Sequence, residues 1–341
     1  MKSVSLEQLS VEPYQLPLAQ TAAERSVGCG QRQGLIVRVL FAGGSHALGD
    51  AAPLPGFSHE TLAQTREALE RVSKLLRGAR FCSVEDIAEI LAPLELPSAA
   101  RHGIEQALLF SLAELHNVTP AILLGAADLP QSICTNALVQ TEDEASSAAA
   151  EGYRHLKLKV ARGPLNADLA RVARVRAAVG EEIELRLDAN GRWSEDVARR
   201  ALKEFESFDI ALIEQPVAQL GALARLQQEQ GIPLAADELC RSPKDAQRII
   251  DQEAAKVLVI KPMICGGLLA AREIARLAII AGLDVIVTSS LESAIGCEAA
   301  LQLAAALPAP RRAAGLASTD PRWSQQPRIS VAQAPGKGLR A

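Results

Sequence analysis

Aromatic residues make up only 3% of the 341-residue chain, with two Trp and two Tyr. Base-stacking platforms for nucleic acid are therefore poorly supplied. Basic residues do not exceed acidic ones: 36 Lys and Arg stand against 40 Asp and Glu, a net charge of −4. A basic stripe that would track a phosphate backbone is not expected. The six cysteines are Cys29, Cys82, Cys134, Cys240, Cys265 and Cys297, and no two lie within four residues of each other. That spacing excludes a C-x-x-C pair for zinc or redox work. They read as small buried hydrophobes of a reducing compartment. The first 18 residues carry Glu7, Glu12 and Pro13 where a signal peptide needs an apolar run. The apolar stretch Leu277–Thr288 is broken by Asp284 and is too short to span a bilayer. A glycine-rich phosphate loop follows none of the strand candidates. We expect a cytoplasmic protein whose partners are neither membrane nor nucleic acid.

What is present is ample core material: 48% apolar residues and 22% charged. A prior of roughly 150 residues per domain suggests about two domains. The first part mixes strands and helices. Gly34–Phe41 is β-rich and ends at the turn Gly43-Gly44, and the Pro/Gly loop Ala52–Ser58 follows. Glu60–Leu76, Ser83–Leu91 and Ala99–Leu115 carry helical apolar spacing. From about residue 132 short apolar strands alternate with amphipathic helices. The strand candidates are Ile133–Val139, His155–Val160, Ile183–Asp188, Ile210–Glu214, Leu234–Asp237, Val257–Lys261, Val285–Ser289 and Arg312–Leu316. Eight strands with helical crossovers predict a parallel α/β sheet closed as a TIM-type barrel.

Catalytic groups of such barrels stand at the C-terminal ends of strands. Here those ends read Lys157-Leu158-Lys159, Asp188-Ala189-Asn190, Glu214, Asp237-Glu238, Lys261 and Ser289-Ser290. From Lys159 the successive intervals are 29, 26, 23, 24 and 28 residues, each the length of one βα unit. One polar group thus arrives per strand. Side chains alternate along a strand, so Lys157 and Lys159 share a face opposite Leu156, Leu158 and Val160. Packing the apolar face outward turns both lysines into the barrel mouth, where unpaired charge is costly. Asp188, Glu214 and Asp237 come from adjacent strands and can converge. Hard oxygen ligands without His or Cys favour Mg²⁺ over zinc. Lys159 and Lys261 flank the trio, an arrangement suited to removing a proton next to a metal-bound carboxylate.

The ordered set K-x-K, D-x-N, E, D-E, K resembles the enolase superfamily, in the branch with muconate-lactonizing-enzyme-like barrels. Two further segments resemble o-succinylbenzoate synthases: the loop Pro53-Leu54-Pro55-Gly56-Phe57-Ser58-His59-Glu60-Thr61, and Ser289-Ser290-Leu291-Glu292-Ser293-Ala294-Ile295-Gly296. The resemblance implies an α+β capping domain over residues 1–130 and a modified (β/α)₇β barrel over 131–317, with the segment 318–341 packing on the cap. It implies Lys159 as the general base and then the acid of a syn dehydration. Lys261 would stabilise the opposite face, and Lys157 would hold the carboxylate. Asp188, Glu214 and Asp237 would bind Mg²⁺, or Mn²⁺ in its place, with Asn190 and Glu238 in support. Glu238 would need a bend in the strand to reach the metal. Ser289, Ser290, Leu54, Gly56 and Phe57 would shape the cavity for a small carboxylate substrate. The family reaction converts 2-succinyl-6-hydroxy-2,4-cyclohexadiene-1-carboxylate into 2-succinylbenzoate in menaquinone or phylloquinone synthesis. The alternatives are a racemase of N-acylamino acids or a dipeptide epimerase of the same superfamily, and then a non-catalytic barrel binding protein. Dipeptide epimerases carry Asp-x-Asp after the eighth strand, where this chain has Ala317-Ser318-Thr319-Asp320.

Overall fold

The computed structural model describes residues 3–17, 30–229, 231–309, 311–318, 320, 322–323 and 326–331. The capping part begins with β1 (Val4–Pro17), β2 (Gln31–Phe41) and β3 (His46–Ala51), then α1 (Leu62–Leu75), β4 (Arg80–Phe81), α2 (Val84–Leu91), α3 (Ser98–His116) and α4 (Pro120–Leu123). Its sheet runs in the order β3-β2-β1-β4, with β1 antiparallel to both neighbours. Alternation along β2 buries Leu35, Val37, Val39 and Phe41 on one face. Helix α3 covers that face closely at Gly103 against Gly49. A Cβ on Gly49 would collide with the Gly103 carbonyl, so both positions need glycine. Local signals start the shorter helices: Thr61 with Gln64, and Ser83 with Asp86, form reciprocal capping boxes.

The second part contains β5 (Ser132–Cys134), β6 (Ala137–Val139), α5 (Glu142–Ala150), β7 (His155–Lys159), α6 (Leu165–Val179), β8 (Glu184–Asp188), α7 (Glu195–Phe205), β9 (Ile210–Glu214) and α8 (Leu220–Glu229). It continues with β10 (Leu234–Ala236), α9 (Pro243–Asp251), β11 (Val257–Ile260), α10 (Pro262–Cys265), α11 (Leu268–Ile280), β12 (Asp284–Val287), α12 (Ala294–Ala306) and β13 (Arg328–Ser330). Strands β6 to β12 form one parallel sheet in chain order. This is the modified TIM-type barrel with a capping domain. Two expectations need correction. Ile133–Val139 is not one strand: it divides into β5, which pairs antiparallel with β13, and β6, which opens the barrel. The eighth strand, Arg312–Leu316, shrinks to two parallel bridges, Thr135 with Ala314 and Thr288 with Gly315. Four backbone bonds of 2.8–3.0 Å stitch residues 314–315 to both free edges, so the barrel still closes. Arg186 helps by crossing the interior, its Nη1 donating to the Ala313 carbonyl at 2.8 Å.

Of the segment 318–341, residues 328–330 lie against β5, while Asp320 caps α12 by accepting from Ala294 N at 2.9 Å. The tail 332–341 lies outside the described residues. Among the described residues, no helix is long and apolar enough to cross a membrane.

Candidate active site

Each barrel strand turns alternate side chains toward the axis. The inner layer of β9 to β12 is a small apolar cluster of Leu212, Ala235, Val257, Val259 and Ile286, separate from the main core. Two residues onward from Leu212, Ala235 and Val259 come Glu214, Asp237 and Lys261. On β7 the outward residues Leu156 and Leu158 join the main core, which leaves Lys157 and Lys159 facing in. Parallel register sets Lys159 beside Asp188, Asp188 beside Glu214, and Glu214 beside Ala235. The polar residues therefore form one ring above an apolar floor, with the lysine of β7 and that following β11 at its two ends.

Every acid in this ring is turned toward an ammonium. Lys157 Nζ donates to both Glu214 oxygens at 2.7 Å and lies 2.9 Å from Asp188 Oδ2. Lys159 Nζ donates to Asp188 Oδ2 at 3.1 Å and to Asn190 Oδ1 at 2.7 Å. Lys261 Nζ donates to Asp237 Oδ1 at 2.6 Å. The carboxylates are 1%, 4% and 2% exposed for Asp188, Glu214 and Asp237, and the lysines 18%, 13% and 13% for Lys157, Lys159 and Lys261. Charges this dry persist because they are paired. Sequence spacing alone suggested three acids meeting at a point. Among the described residues, no three His, Cys, Asp or Glu side chains form a ready metal cage. The lysines interleave with the acids and take up the oxygens a cation would use.

The electrostatics of the ring follow from burial and neighbours. Burial alone would lower Lys157, but the charges of Asp188, Glu214 and Asp237 outweigh it and hold the ammonium well above its usual range. Burial would lower Lys261 too, and Asp237, Glu238 and Glu214 reverse that direction. Asp188 goes the other way: burial would raise it, yet Lys157 and Lys159 keep it well below an ordinary carboxyl. Glu214 is pushed up to about 8, by burial first and then by the Asp188 charge, with Asp237 adding to it. Three buried carboxylates that repel one another in this way fit a hard divalent cation, whose charge relieves the repulsion.

The remaining candidates divide. Asn190, in the left-handed region at φ 48°, links Lys159 to Glu238, donating from Nδ2 to Glu238 Oε1 at 3.0 Å. β10 ends at Ala236, and the turn that follows supplies the bend Glu238 needs to reach the mouth. Glu238 Oε2 and Ser290 Oγ are buried without a hydrogen-bond partner among the described residues. Ser289 is spent elsewhere: its hydroxyl donates to Ala317 O at 2.7 Å and accepts from Ala317 N at 2.9 Å, pinning the barrel seam. Leu54 is buried and Phe57 half-buried, with the Phe57 ring centroid 4.1 Å from Lys261 Nζ. Gly56 is exposed at the turn tip with φ 79° and open space around it, so it shapes the loop rather than a cavity wall.

A family model described as enolase C-terminal domain-like matches residues 140–339, and one described as the MenC N-terminal domain matches residues 7–109. The chain belongs to the enolase superfamily. Within it, an o-succinylbenzoate synthase of Thermobifida fusca is 41% identical over 182 residues, which is 53% of this chain and 56% of that protein. An L-Ala-D/L-Glu epimerase of Clostridium acetobutylicum is 30% identical over 318 residues, 90% of this chain and 87% of the relative. The chain therefore spans only about half the length of the synthase it matches but most of the epimerase. In solved structures, a dipeptide epimerase of Enterococcus faecalis complexed with Mg and the dipeptide L-Leu-L-Tyr superposes with a TM-score of 0.88. It is 28% identical, covering 98% of this chain and 99% of that one.

Residues that sequence reading missed cluster at the start of α12. Asp50 of β3 accepts from Ser293 N at 2.9 Å, from Ser293 Oγ at 2.6 Å and from the Tyr14 hydroxyl at 2.9 Å. Burial raises the Asp50 carboxyl, and the hydrogen bond from Ser293 works against that rise. Asp320 holds the neighbouring Ala294 N and is paired with Arg322 at 2.9 Å. Asp50 lies 243 residues from Ser293, so no local pattern could join them.

Proposed function

We propose that this enolase-superfamily chain is an o-succinylbenzoate synthase: a cytoplasmic, Mg²⁺-dependent carbon–oxygen lyase acting on 2-succinyl-6-hydroxy-2,4-cyclohexadiene-1-carboxylate. Asp188, Glu214 and Asp237 are the residues that would hold the cation. When bound, it supplies Lewis acidity toward the substrate carboxylate. Lys159 is the base that takes the proton α to that carboxylate. The resulting ammonium returns the same proton to the departing β-hydroxyl, which leaves as water. Asn190 orients Lys159 through its 2.7 Å hydrogen bond. Lys261, at the far end of the ring, stabilises the negative charge that develops on the substrate from the opposite face. Lys157 offsets carboxylate charge beneath it.

The observation that carries this choice over an epimerase is the state of Asp320. It is the one acid between residues 312 and 320. Its carboxylate is buried, caps Ala294 N and pairs with Arg322. The end of the eighth strand thus offers no spare carboxylate to receive a dipeptide ammonium. The loop carrying Leu54 and Phe57 supports the same reading through its synthase-like sequence.

A dipeptide epimerase is the second reading, favoured by the length of the match to that class and by the unpartnered Glu238 Oε2 at the mouth. Purified protein with Mg²⁺ should consume the cyclohexadiene carboxylate, followed as loss of diene absorbance, and should leave dipeptides and N-succinylamino acids unracemised. Racemisation without diene loss would replace the first reading with its rival.

A further inference from the structure

Resting on the reading of Lys261 as a reacting-site lysine, we propose that Arg241 is a positioning residue: it clamps the tip of the capping loop onto the barrel rim and so holds the Phe57 ring over Lys261. The loop has two anchors of different origin. At its root, Arg32 of β2 donates to the carbonyls of Ala52 and Pro53, the latter at 2.8 Å, wholly within the cap. At its tip the anchor comes from the other domain. Arg241 lies between β10 and α9, beside Ser242, whose hydroxyl caps α9 by accepting from Asp245 N at 3.1 Å. It is thereby fixed to the barrel frame. Its Nη2 donates to the Phe57 carbonyl and its Nη1 to His59 Nε2 at 2.7 Å. The planar fork of a guanidinium reaches both acceptors at once, which a lysine cannot do.

Between the two anchors the chain is a tight turn. Phe57 N and Ser58 N both donate to Leu54 O, at 3.0 and 2.7 Å, and Leu54 N donates to Ser58 Oγ at 2.9 Å. A rigid turn held at its tip fixes the direction of the one large side chain it carries. That side chain, Phe57, places its ring 4.1 Å from the Lys261 ammonium, within cation–π range. Arg241 thus sets the cover over one side of Lys261 and the room beside it without touching the reacting atoms.

The test combines a substrate-free measurement with kinetics. In the intact free protein, Arg241→Ala should speed amide exchange across residues 54–60 on the order of ten-fold or more, the loss of a charge-assisted hydrogen bond, with thermal unfolding little changed. Arg241→Lys keeps one donor and should fall between. On the diene substrate, Arg241→Ala should raise KM on the order of ten-fold and change kcat less. The same change made in a Phe57→Ala background should add little, because the clamp acts through the ring. Unchanged loop exchange in Arg241→Ala, or fully additive effects with Phe57→Ala, would overturn the clamp. Exchange needs no substrate: a loosened loop in a protein inactive on the diene upholds the clamp and refutes the synthase reading instead.

Discussion

Lys159 and Glu214 carry the sharpest chemical expectations. Lys159→Ala removes the proposed base but leaves Asp188 paired with Lys157 at 2.9 Å, so the fold should survive. Turnover should fall by about 10² to 10⁴, the usual worth of general acid–base catalysis, with far-ultraviolet circular dichroism unchanged. Retained turnover would remove Lys159 from the mechanism. Glu214 sits near a pKa of about 8, raised by burial and by the Asp188 charge. It therefore takes up a proton more readily near neutral pH than an ordinary glutamate. If Glu214 holds the cation as proposed, it must be ionised to do so, so Mg²⁺ binding should release protons near pH 7 and fewer as pH rises past 8. Calorimetry in buffers of different ionisation enthalpy measures this. These residues were legible in the sequence because residue type and one-unit spacing suffice to find them. The fate of Asp320 was not, because its partner Ala294 is chosen by tertiary packing.

Helices that meet the cap show what periodicity cannot reveal. Glu105 of α3 is buried and accepts from Leu269 N at 2.8 Å, at the first turn of α11. Gly267, just before that helix, has φ 124°, and a Cβ there would strike the Glu105 carboxylate. Cap and barrel are thus fitted together immediately after the Lys261 corner. Burial raises Glu105 from 4.5 to about 7, against the hydrogen bond from Leu269. The folded state then binds more protons than the unfolded chain between pH 4.5 and 7. Stability due to this group is full below that window and declines as pH rises through it. Glu105→Gln keeps an acceptor and cannot ionise. Relative to wild type it should gain stability from pH 4.5 to 7, by at most about 3 kcal/mol. Urea unfolding at several pH values reads this difference, and a difference flat with pH would refute it. The α3 periodicity located the helix, but nothing in that spacing singles out Glu105.

The barrel as a closed body depends on a seam the strand pattern did not foresee. Eight apolar segments were readable, yet the eighth contributes two bridges, reinforced by Arg186 from across the interior. Arg186 also donates to Glu184 Oε1 at 2.6 Å and is almost wholly buried. Arg186→Leu would leave the buried Ala313 carbonyl and part of Glu184 without a donor, and we expect a loss of about 1 to 3 kcal/mol. Amide exchange should accelerate first at Ala314 and Gly315, whose N–H groups close the seam. Uniform acceleration over all seven strands would mean the seam is not the weak point.

Lys261 lies on the barrel, but the aromatic ring above it belongs to the other half of the chain. On the proposed reading, proton chemistry and substrate choice are therefore encoded in separate modules. On that reading, exchanging the Leu54–His59 loop for a relative's version should retune which molecules enter while the amine–carboxylate machinery underneath stays as it is. A lineage of such proteins can change diet without relearning catalysis.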